Sequence, residues 1–110
     1  MIFITIEKSG EAYRKVSCIG HAGFAQSGTD IVCAAASVLV INTLNAIEAL
    51  TDTTFEAVSE KETGKLVAHF TDGISDQATL LLDAMVMGLS EMTRQYGRRY
   101  ITLEVKEAAL

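Results

Sequence analysis

The feature that most constrains this chain is the run from Ile31 to Ile41, eleven residues that are apolar except for Ser37. A surface helix keeps its apolar residues on one stripe, so a run that is apolar all round has to be covered on more than one face. Crossing a bilayer takes about 20 such residues. The run therefore reads as a buried helix, with no membrane association. The 110 residues suit one domain over 1–110, since a single core is commonly built from about 100. Met1 to Glu11 has no basic start and no apolar core of roughly 7–15 residues, so it does not read as a secretory signal. Two cysteines make no disulfide framework, and the expected compartment is a reducing cytoplasm.

The segments around that run have clear periods. Ile2, Ile4 and Ile6 alternate with polar or larger neighbours, Ser9-Gly10-Glu11 breaks the run, and Tyr13 to Ile19 alternates again, which predicts a hairpin. Gly20 to Thr29 (GHAGFAQSGT) holds three of the eight glycines and reads as a mobile loop. Asp30, or Thr29, is placed to cap a helix that runs to about Leu50. Thr53 to Ser59 and Lys65 to Thr71 read as strands joined by the charged turn Glu60-Lys61-Glu62-Thr63-Gly64. Ser75 caps a second helix from Asp76 to Tyr96, Arg94 and Gly97 end it, and its face includes Leu81, Met85, Gly88 and Met92. Tyr100 to Lys106 is a last strand with Ile101, Leu103 and Val105 inward. The order ββαββαβ predicts an α+β fold of two layers, five short strands with two long helices packed on the sheet. The helices carry more apolar surface than one sheet face can cover, which points to a homodimer.

Charge narrows the function classes. Nine Lys and Arg against fourteen Asp and Glu give a net charge of −5. That balance repels phosphates and argues against direct nucleic-acid binding, while it suits a basic partner.

Few residues can carry chemistry. Neither a Walker loop nor a dinucleotide fingerprint follows a strand. The strong local coincidence is His21 followed, across the glycine loop, by Cys33. With Asp30 as cap, Cys33 takes about the third helical position, where free amides and the helix dipole lower a thiol pKa from about 8.5. The amides of Cys33 and Ala34 would then stabilise an oxyanion, and Ser37 lies one turn along the same face. His21 is the candidate base, and Asp30 could orient it, although capping suits Asp30 better. Other readings use the same residues. A Cys within Ile-Val-Cys-Ala-Ala also suits simple core filling. Cys18, His21, Cys33 and His69 could hold a zinc ion, but no Cys-x-x-Cys knuckle is present and no metal is expected. A Cys18–Cys33 redox pair likewise lacks that spacing. Cys18 sits inside a strand and reads as structural; His69 falls on the strand face opposite Leu66, Ala68 and Phe70.

Gly20-His21-Ala22-Gly23-Phe24, a short spacer, and Gly28-Thr29-Asp30-Ile31-Val32-Cys33-Ala34-Ala35-Ala36-Ser37 together resemble the ribosomal-processing cysteine protease (Prp) family. The resemblance implies a dimeric bacterial endopeptidase of the cytoplasm that needs no cofactor or metal. Its implied substrate is the short hydrophobic N-terminal extension of one large-subunit ribosomal protein, the twenty-seventh by the usual count. By the same resemblance His21 is the general base, Cys33 the nucleophile, and Asp30 and Ser37 supporting residues. The loop carrying Gly20, Gly23, Phe24 and Gly28 is implied to be a flap over the substrate. The rival reading is a non-catalytic acidic dimer that grips a basic ribosomal or assembly partner.

Overall fold

The structure is a computed structural model that describes residues 1–20, 27–60 and 62–108, with backbone alone at 27–30. The chain runs β1 (Ile2–Ser9), β2 (Ala12–Gly20), α1 (Ser27–Leu50), β3 (Glu56–Glu60), β4 (Lys65–His69), α2 (Asp76–Tyr96) and β5 (Ile101–Glu107). This is the expected ββαββαβ order of an α+β fold. The strands form one sheet in the order β3-β4-β2-β1-β5, antiparallel except for the β1–β5 pair.

Register explains the core. Ile4 opposes Cys18 on one side and Leu103 on the other; Ile6 opposes Val16. These residues share one sheet face, and with Ile2 and Ile101 they pack under the helices. The β1–β2 turn is made at Gly10, whose φ of 61° suits glycine.

The ends of α2 are those the sequence predicts. The Ser75 hydroxyl accepts the Ala78 amide at 3.1 Å, Asp76 lies in the first turn, Arg94 in the last, and Gly97 terminates the helix. Thr53, expected as a strand residue, instead braces this cap: its hydroxyl donates to Ser75 Oγ at 3.0 Å and accepts the Ser75 amide at 2.8 Å. The strand after it starts only at Glu56. The buried face of α2 is Ala78, Leu82, Met85 and Leu89, so the predicted face is rotated: Leu81 and Met92 flank the core. Gly88 is where α1 comes close, since a Cβ there would lie 2.9 Å from Leu39 Cδ2.

Two expectations for α1 are corrected. It begins at Ser27, not at Asp30, so Gly28, Thr29 and Asp30 form its first turn. Polar residues are tolerated there because first-turn amides have no helical partner and an acid favours the positive helix end. Nor is the apolar run covered all round. Val32, Cys33, Ala36, Val40, Leu44 and Ile47 are buried, but Ile31 (66% exposed) and Val38 (65%) face outward, because the sheet and α2 together reach only one side. By length and composition Ile31–Leu50 could cross a membrane, yet this buried stripe makes it the central helix of the fold.

Candidate active site

Cys33 lies on the sheet-facing side of α1 and is 1% exposed. Cys18, on β2, faces the same layer, since its register neighbours are Ile4 and Leu66. Both sulfurs are free thiols. Burial pushes the Cys18 thiol up to about 11, the nearby Cys33 acts in the same direction, and the Ser37 hydroxyl, donating to the Cys18 sulfur, pulls it part of the way back. At neutral pH Cys18 is therefore an uncharged thiol and a poor nucleophile. Its reading as structural stands.

The early start of α1 alters the position of Cys33. It is the seventh helical residue and Ala34 the eighth, so their amides bond within the helix to carbonyls four residues back. The expected oxyanion donors, Cys33 N–H and Ala34 N–H, are thus already used, and the dipole effect fades beyond the first turn. Asp30 is no N-cap; its backbone is in the first turn, as is that of Gly28. His21, Gly23 and Phe24 lie outside the described residues. Gly20 is the last residue of β2 and not part of a loop. His69 sits across from Lys15, on the sheet face opposite Cys18. Cys18 and His69 therefore cannot share one metal ion. Among the described residues no group of three or more His, Cys, Asp and Glu is placed to hold one.

What periodicity alone does not bring out is a groove. A cavity of about 360 Å³ runs between α1 and the β3–β4 end of the sheet. Cys18 and Ser37 line one end, and Ile41, Leu44, Phe55 and Leu66 give it apolar walls. Glu48 lines it about three turns beyond Ser37. The stripe Ser37, Ile41, Leu44, Glu48, at spacings of three and four after Cys33, is its trace in the sequence. Gly64 also lines the groove and ties it to the other end of the motif, because the Gly20 amide donates to the Gly64 carbonyl at 3.3 Å. Gly20 is the residue before His21.

Residues 1–102 match the family model described as cysteine protease Prp. The ribosomal processing cysteine protease Prp of Staphylococcus aureus is 31% identical over 94 residues, 86% of this chain and 88% of that protein. A crystal structure of the S. aureus ribosomal processing protease Prp with a substrate peptide superposes with a TM-score of 0.87 at 30% identity, covering 96% of this chain and 100% of that one. A second S. aureus Prp structure holds a covalently linked product peptide; its TM-score is 0.84 at 31% identity, over 96% and 100% of the two chains.

Proposed function

Because the chain belongs to the cysteine protease Prp family, we propose that it is a cytoplasmic cysteine endopeptidase that removes the short hydrophobic N-terminal extension of a large-subunit ribosomal protein. The observation that carries this reading is likeness over nearly the whole chain to a protease that has been crystallised with a product peptide covalently attached. In the proposed reaction His21 takes the Cys33 thiol proton and the thiolate attacks the scissile carbonyl. The amine leaves with a proton from His21, and water then hydrolyses the thioester. Ser37, one turn along from Cys33, is a supporting residue in the same proposal, and burial keeps the neighbouring Cys18 thiol protonated and out of this exchange. The groove with apolar walls beside Ser37 is the path for the peptide, and residues Gly20, Gly23, Phe24 and Gly28 belong to the segment that contacts it. A homodimer, formed over the outward face of α1 at Ile31 and Val38, is part of the same proposal and is supported by the exposure of those two side chains.

The burial of Cys33 favours a second reading, in which that sulfur fills the core and the protein is an acidic dimeric module for a basic ribosomal partner. Incubation with the extended ribosomal protein separates the two. The protease shortens it by the mass of the extension, and Cys33→Ala does not. Stable co-elution with the substrate still at full mass would establish the module instead.

A further inference from the structure

We propose that the far end of the groove selects a basic side chain about six or seven residues from the scissile bond, and that Glu48 is the residue that reads it. This rests on the protease reading and on the groove as the peptide's path. From Cys33 to Glu48 α1 advances by about 22 Å at 1.5 Å per residue. An extended peptide advances about 3.3 Å per residue, so it reaches Glu48 after six or seven positions. The walls before that point, Ile41, Leu44, Phe55 and Leu66, take apolar side chains.

Charge changes abruptly at the end. Glu48 also lines an adjoining cavity with Thr51, Asp52, Thr53, Thr54 and Phe55, and among the described residues no basic one takes part. The last turn of α1 carries no basic residue, so the partial negative charge of its terminal carbonyls adds to that of the two carboxylates. Glu60, the other carboxylate among the described lining residues, stands opposite Lys65 in the β3–β4 register, a cross-strand neighbour of opposite charge that Glu48 lacks on its helix. Among the described residues neither Glu48 nor Asp52 forms an ion pair. The long apolar stem of a Lys or Arg can lie along the groove while its cation meets Glu48. A neutral or acidic residue there leaves the negative end uncompensated.

The test uses the full chain and synthetic peptides of one sequence across the cut, with a single Lys or Gln moved through positions three to nine on either side. Lys six or seven positions away, on one side only, is expected to raise kcat/KM about two- to fivefold over Gln at low salt, through KM. The gain should vanish in about 0.5 M salt. Glu48→Lys should reverse the preference, so that Glu at that position is cleaved faster than Lys, and Glu48→Gln should abolish it. Glu48 is exposed, so these variants are expected to keep the wild-type urea midpoint. Equal rates for Lys and Gln at every position, or a Lys preference that survives Glu48→Lys, would overturn the assignment while leaving the protease intact. Failure of the wild type to cut any peptide would overturn the protease reading and this inference with it.

Discussion

Gly64 sits so close to Gly20 that a Cβ on it would lie 1.8 Å from the Gly20 carbonyl oxygen, at a φ of +64°. The atom in the way is backbone, so it can yield only if the end of β2 moves. Gly10 has nearly the same φ, +61°, yet a Cβ on it would meet nothing within 4 Å. Gly64→Ala is therefore expected to cost roughly 2–4 kcal/mol, against about 1–2 for Gly10→Ala, which suffers only from the left-handed backbone. Urea midpoints of the two variants measure the difference. Equal losses would mean that the β3–β4 turn does not clamp the strand end before His21.

The two cysteines should separate chemically. If Cys33 is the nucleophile that His21 activates, iodoacetamide near pH 7 is expected to label it well before Cys18, whose thiol burial raises to about 11. Cys18→Ala should keep most of the turnover. Cys33→Ala should abolish it, with a stability loss of about 1–2 kcal/mol for a buried side chain made smaller. Mass spectrometry of the labelled protein and of the substrate reads both. Turnover that survives in the Cys33 variant would end the protease reading.

Stability should fall in alkali. The Cys18 thiol is raised from 9.0 to about 11 in the folded chain, so between these values the unfolded chain releases its proton first. The folded state is then progressively disfavoured, by about 2–3 kcal/mol once pH passes 11. Below pH 9 both states hold the proton and the effect is absent. Tyr13, pushed upward by burial and by its 2.6 Å bond to Asp83, adds a loss of the same sign above about pH 10. Urea midpoints at pH 8, 9.5 and 10.5 should fall in wild type and less steeply in Cys18→Ala. Parallel slopes would contradict the Cys18 assignment.

The outward face of α1 gives a test of assembly. Val38→Glu, combined with Ile31→Glu, places two charges on the proposed dimer surface without touching the buried stripe. Light scattering at micromolar concentration is expected to give a dimer mass for wild type and half that mass for the variant. A monomeric wild type would remove the dimer.

How much of this is legible in the sequence depends on how local the signal is. Both ends of α2 are written within a few residues, by Ser75, Asp76, Arg94 and Gly97, and the structure places them there. The start of α1 is not, because Ser27-Gly28-Thr29 suits a loop and a first helical turn equally well. Four residues, Ser27 to Asp30, decide a great deal here, since they move Cys33 from the third to the seventh position. The His21…Cys33 pattern is readable as a family motif, whereas the groove is not. It arises because the order β3-β4-β2-β1-β5 leaves the β3–β4 end of the sheet beside α1, and no periodicity records that order. The Gly20–Gly64 approach is hidden for the same reason, as is the bracing of Ser75 by Thr53.

The parallel pairing of β1 with β5 bears on how the chain is made. β1 is an inner strand, and one of its two neighbours, Ile101–Glu107, comes after every other described strand and helix in chain order. Every other element can emerge from the ribosome while that flank of β1 still has its amides and carbonyls open. The sheet is thus sealed along that flank only once β5 has been made, and joining such distant segments makes closure slow. Until then the row Ile2, Ile4, Ile6 is only half sheltered, so a nascent chain stalled short of Ile101 is the form most prone to aggregate.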